Sequence, residues 1–246
     1  MSGYIFVFLV ALAAGGVSGL IGTGSSLILL PVLVQSYGPK AAIPIMAVAA
    51  ILGNLSRIGV WWRLVDWRAA SAYAISGVPA AALGAHTLLA LPSHFLDIVL
   101  GLFFWSMIFI RRRLQKAQWR LSLFQLGLCG AVIGFMTGLV LSTGPMSVPA
   151  FTAYGLSGGA FLGTEAASAA LLYLGKVGTF AVQGALTKVT VLKGLFVGVG
   201  MMIGTAGSKA LVMRMPARHF DLALDFLLFA SGGALIGQIW IGSHSL

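Results

Sequence analysis

Arg57 and Lys176 are the side chains whose chemistry is hardest to reconcile with their surroundings. Each is a cation inside an apolar run, in Asn54-Leu-Ser-Arg57 and in Tyr173-Leu-Gly-Lys176. A cation at the bilayer centre costs at least about 2.5 kcal/mol, so an ionisable residue there is a functional candidate by default. Asn54 and Tyr173 each stand one helical turn before their cation, on the same face of the helix. Each pair offers donors suited to an anion. The competing reading is snorkelling, because Arg57 lies about one turn from Trp61 and Trp62, and Lys176 about two turns from its run end.

Two stretches rich in small residues supply matching chemistry. Gly15 to Pro31 contains Gly22-Thr-Gly-Ser-Ser26, and Gly130 to Pro149 contains Ser142-Thr-Gly144 and Ser147. Gly costs roughly 1 kcal/mol in a helix interior relative to Ala, and Pro removes a backbone hydrogen bond. Each stretch is expected to be a broken helix closing on its proline. Irregular backbone at membrane depth survives only where it is buried in protein or lines a watery cavity. The amides around Gly22, Gly24 and Gly144 would then face an anion, as helix N-termini and Gly-rich nests do. The hydroxyls of Thr23, Ser25, Ser26, Ser142, Thr143 and Ser147 add donors. Small-residue packing between helices is the alternative for Gly15, Gly19, Gly130 and Gly134.

Carboxylates are scarce. Glu165, in Gly163-Thr-Glu-Ala166, reads either as a proton-coupling group or as a first-turn acid complementing the helix dipole. Asp225 is a second coupling candidate, one turn from Asp221 and within reach of Arg218 on the same face. Enzyme motifs are nearly absent, with no metalloprotease, phosphate-loop or Cys/His metal pattern. Gly155-Leu-Ser-Gly-Gly159 matches a nucleophile motif around Ser157, with His219 and His244 as the downstream bases. Such a pattern arises readily by chance among 33 glycines. The expectation is therefore no enzyme, no metal and no cofactor.

These residues need elements that hold them in a membrane. Charged residues make up 8% of the chain, hydrophobic residues 59%, and the mean hydropathy is +1.01. Soluble domains carry about 25% charged residues. Apolar runs cover 3–36, 42–62, 69–90, 95–110, 121–142, 160–182, 190–213 and 219–241, or about eight spans at ~20 residues each. Arg57-Ile-Gly59 aligns with Lys176-Val-Gly178, and Pro92 and Asp97 with Pro216 and Asp221. The expected fold is an all-α polytopic membrane protein in two repeated halves, 1–110 and 121–246, each opening with a broken helix. The linker 111–120 carries Arg111, Arg112, Arg113, Lys116 and Arg120, which places it in the cytoplasm.

The other charges do not decide between parallel halves and inverted halves with hairpin motifs. The net charge of +10 belongs to loops that set orientation, not to a nucleic-acid surface. Cys129 stands alone, which excludes an internal disulfide. The expected partners are a small anion, the lipid bilayer and a coupling proton or cation. Homo-oligomerisation is left open. The first residues lack a basic segment, and the run behind them is not read as a cleaved signal.

The first motif, Gly15-x-x-x-Gly19-Leu20-x-Gly22-x-Gly24 ending at Pro31-Val-Leu33, resembles that of the sulfite exporter TauE/SafE family, the 4-toluene sulfonate uptake permeases. Gly130-x-x-x-Gly134-x-x-x-Gly138 with Thr143-Gly-Pro145 and Pro149 echoes it, although the usual Gly-rich run is replaced around Pro145. The resemblance spans nearly the whole chain. It implies a secondary transporter that moves sulfite, sulfoacetate or another organosulfonate across the bacterial inner membrane. A passive anion channel and an intramembrane serine protease are the alternatives.

Overall fold

The computed structural model describes residues 2–22, 25–90, 106, 120–139 and 144–212. In chain order these form α1 (Ser2–Ile21), α2 (Ser25–Tyr37), α3 (Pro39–Trp61), a 3₁₀ turn (Trp62–Leu64), α4 (Trp67–Ala90), α5 (Leu123–Leu139), α6 (Gly144–Tyr154), α7 (Gly158–Val182) and α8 (Lys188–Val212). Among the described residues there is no strand. The expected runs 95–110 and 219–241 lie outside them apart from Ser106, as do the linker arginines 111–113, Lys116, Asp225, His219 and His244.

Local sequence sets the helix ends. Ser122 and Gln125 form a reciprocal capping box before α5: the Ser122 N–H donates to Gln125 Oε1 at 2.8 Å, and the Gln125 N–H to Ser122 Oγ at 3.3 Å. Asp66 caps α4 through the Ala69 N–H at 3.0 Å, and its own N–H donates to Thr164 Oγ1 on α7. Helices α6 and α7 both stop on a left-handed glycine, Gly155 (φ 108°) and Gly184 (φ 72°). Beyond each, the next N–H reaches back five residues, Leu156 to the Phe151 carbonyl and Ala185 to that of Phe180.

Both small-residue stretches are broken helices. α1 stops at Ile21, Gly22 takes φ 78°, and α2 restarts at Ser25. α5 stops at Leu139 and α6 restarts at Gly144. With 13 and 11 residues, α2 and α6 reach only about 20 and 17 Å, short of the ~30 Å hydrocarbon core. The prolines do not close these stretches. Pro31 and Pro149 lie inside α2 and α6, where a proline past the first turn costs a single backbone hydrogen bond that buried surroundings tolerate.

Glycine brings the helices together. A Cβ on Gly15 would overlap the Met201 backbone, and one on Gly204 the Leu12 carbonyl, so α1 lies directly on α8. Gly130, Gly134 and Gly138 of α5 meet the backbones of Tyr73, Gly77 and Ala81 on α4 in the same way. This is the small-residue packing expected between membrane helices. α3 packs on α8 and α7, and α7 packs on α4. One apolar cluster joins α1, α2, α3 and α8 with Ala85 and Leu88 of α4 and Tyr173 and Phe180 of α7, and the other joins α4 to α7. Large apolar side chains such as Ile75, Phe124 and Val182 face outward, as a lipid-facing surface requires. α1, α3 with the 3₁₀ turn, α4 and α8 are long and apolar enough to cross a membrane, and α2 and α5 are shorter apolar helices.

Candidate functional site

Between the helices, beside the first break, there is a partly open cavity of about 50 Å³ with a mixed polar and apolar lining. A single water needs ~10–15 Å³ on this measure, so the space suits a small ion or a few waters. Every helix contributes to its wall: Ser18 from α1, Ser25 and Ser26 from α2, Asn54 and Arg57 from α3, Tyr73 from α4, Thr137 from α5, Ser147 from α6, Glu165 and Tyr173 from α7, and Met201 from α8. Gly22 closes it at the first break.

Arg57 is 4% exposed and points into the bundle. It does not snorkel. Its Nη1 lies 2.9 Å from Glu165 Oε2, and Nη2 donates to Asn54 Oδ1. The Nη1–H is not aimed at Oε2, so the contact is ionic rather than a formed hydrogen bond. Among the described residues, Arg57 Nε has no hydrogen-bond partner. Such a buried orphan donor costs roughly 1–3 kcal/mol, a cost relieved by any acceptor that enters.

Glu165 is not a first-turn acid. α7 begins two turns earlier at Gly158, and the carboxylate is buried, accepting a hydrogen bond from Ser147 Oγ at 3.2 Å. Sequence spacing gave no sign of its partner, because Arg57 stands in the other half of the chain. Tyr73, Thr137 and Ser18 were also missed, being isolated polar residues whose inward direction only helix packing fixes.

The predicted site residues separate into three groups. Gly22, Ser25, Ser26, Asn54, Arg57, Ser147 and Tyr173 come together on the cavity wall. Thr23, Gly24, Ser142, Thr143 and Asp225 lie outside the described residues, and of Gly144 the structure describes its place as the first residue of α6. Lys176 is placed differently. It is fully buried, its Nζ donates to the Thr137 carbonyl on α5 at 2.7 Å, and it rests 5.6 Å from the centre of the Phe180 ring. Among the described residues it is not part of the cavity wall.

The first turns of α2 and α6 supply what the cations do not. Ser25 and Ser26 open α2, and Ser147 lies in the first turn of α6, so two positive helix ends converge on the cavity. The Gly22 amide does not serve as expected, since it donates to the Ser18 carbonyl at 2.8 Å. Gly22 is needed for its shape. A Cβ there would come within 2.9 Å of Leu162 Cδ2 and 3.3 Å of Arg57 Nη1. Ser157 lies exposed in the turn before α7, and both of its expected bases fall outside the described residues. Among the described residues no group of His, Cys, Asp and Glu could hold a metal.

Apolar outer faces, broken helices and a central cavity walled by a guanidinium, hydroxyls and helix N-termini define a multi-pass helical membrane protein with an interior site. The sulfite exporter TauE/SafE family model matches residues 7–235, and the chain belongs to that family of membrane transporters. No curated protein and no solved structure matches it.

Proposed function

We propose that the protein is a secondary transporter that carries a small sulfur oxyanion, with sulfite as the leading substrate, across the bacterial inner membrane through this cavity. The observation that carries the reading is Arg57: a buried guanidinium on the cavity wall whose Nε has no partner among the described residues, on the same wall as the first turns of α2 and α6. Charge-assisted hydrogen bonds from Arg to an oxyanion are about twice as strong as neutral ones. The hydroxyls of Ser25, Ser26 and Ser147 complete a donor-rich wall. Family membership supports the sulfur chemistry, and the cavity's small size favours a compact ion over an extended organosulfonate.

The test is uptake into proteoliposomes with a panel of sulfite, thiosulfate, sulfoacetate, taurine and sulfate. Saturable sulfite uptake that is accelerated by sulfite on the opposite side is the expected result. Linear flux without exchange would assign a channel instead, and no sulfite flux with brisk sulfoacetate or taurine flux would move the substrate to the organosulfonates.

A further inference from the structure

Glu165 has no evident place in an anion site. Its carboxylate lies on the wall of the same cavity, in ionic contact with the one cation there among the described residues. The two charges cancel. An incoming anion that takes up Arg57 would put a second negative charge beside the first, in a site with little room for water. Removing one partner from a buried pair leaves an uncompensated charge, which is strongly unfavourable.

Building on the transport reading, we propose that Glu165 is the coupling group: its carboxylate occupies the anion's seat on Arg57 in the empty protein, and each anion displaces it only as it takes up a proton. The exchange balances. The Glu165 Oε2 contact with Arg57 Nη1 is lost, an anion oxygen takes Nη1 and Nε, and one proton from the aqueous phase neutralises the released carboxyl. The Ser147 hydroxyl, 3.2 Å from Oε1, can hold the carboxyl in either state, because a hydroxyl both donates and accepts. When the anion leaves, the proton leaves and the ion pair re-forms, so anion and proton travel together.

The titratable groups around Glu165 are few. Arg57 faces it from α3, Tyr73 from α4 and Tyr173 from its own helix. Lys176, further along α7, is engaged with the Thr137 carbonyl, and Cys129 of α5 faces the outer groove between α5 and α6. Among the described residues, α1, α2, α5, α6 and α8 contribute no titratable group to the cavity wall. Among the described residues, Glu165 is thus the one carboxylate placed to register the arrival of an anion.

The experiment is infrared difference spectroscopy of the full-length protein in lipid, with and without sulfite, alongside sulfite affinity measured as a function of pH. The expected result is a sulfite-induced gain of the protonated-carboxyl C=O stretch in the wild type and its loss in E165Q. Sulfite titrates as well, so affinity is read as the ratio between the two proteins. Linked uptake of one proton makes wild-type affinity fall up to about tenfold per pH unit relative to E165Q as pH rises. Sulfite binding with no new carboxyl band in the wild type would overturn the coupling role and leave the transport reading intact. Should E165Q fail to fold, the wild-type spectrum decides alone. Absence of sulfite binding altogether would overturn both readings.

Discussion

Arg57 and Lys176 are the two cations that the expected repeat would pair, yet their surroundings differ. Arg57 lines the cavity, meets Glu165 and stands beside Gly22 at the first break. Lys176 is sealed against the Thr137 carbonyl, two residues from the end of α5 at the second break. A helix leaves its last carbonyls without intrahelical donors, and a cation there also complements the dipole. One cation therefore presents donors to the cavity while the other secures a helix end. A planar guanidinium, with five donors in a fixed fork, can bind two partners and still offer a third N–H. A single ammonium spent on one carbonyl offers less.

This contrast can be broken experimentally, and Arg57→Met has the largest expected effect. Loss of a charge-assisted hydrogen bond of roughly 1.5–3 kcal/mol weakens sulfite affinity about ten- to hundred-fold, measured in proteoliposomes. Arg57→Lys should fall between wild type and Met. Unchanged affinity in the Met variant would remove the cavity from consideration.

Gly22→Val comes next. A left-handed, non-glycine residue costs about 1–3 kcal/mol, and the new side chain presses on Leu162 and on Arg57 Nη1. Transport should drop at least tenfold in protein that still inserts, assayed as uptake normalised to the amount reconstituted. Wild-type uptake by this variant would show that the bend is not part of the site.

Ser147→Ala removes one cavity hydroxyl and a hydrogen bond to Glu165. A neutral hydrogen bond contributes about 0.5–1.5 kcal/mol, so sulfite affinity should fall roughly two- to tenfold. A larger loss than in Arg57→Met would reverse the assigned importance of the two groups.

The smallest expected change in affinity belongs to Lys176→Met, within about threefold of wild type. Methionine fills the buried stem and needs no counter-charge, although the Thr137 carbonyl loses its donor. Lys176→Arg should be worse in thermal stability than Lys176→Met, because the larger planar group has no space in a fully buried site. A hundred-fold affinity loss in Lys176→Met with Arg restoring function would make Lys176 a second anion ligand.

The sequence discloses the parts of this arrangement that depend on local chemistry. Both helix breaks are legible because Gly, Ser and Thr interrupt otherwise apolar runs, and Arg57 with Asn54 because a helical turn joins them. The proline positions mislead, since a proline is a helix breaker in water and a tolerated interior residue among packed membrane helices. Of the two readings of Glu165, the first-turn one fails. The apolar run starts near it, but α7 begins earlier, in the small residues Gly158 and Gly159 that hydropathy does not count. Its ion pair with Arg57, and the separation of Lys176 from the cavity, depend on the rotation of α3 and α7 about each other, which no local spacing encodes.

The glycine seam between α1 and α8 also has a consequence in time. α1 ends at Ile21 and its mate does not begin until Lys188. At ~5–20 residues per second, that interval lasts roughly ten to thirty seconds. Throughout it, the Gly15 and Gly19 face of the first helix has lipid or the insertion machinery for company, whereas α4 and α5 can meet far sooner. Ribosome-stalled chains ending before Lys188 should therefore cross-link from Gly15 to insertion components, and chains extended past α8 should lose that cross-link as α1 finds α8.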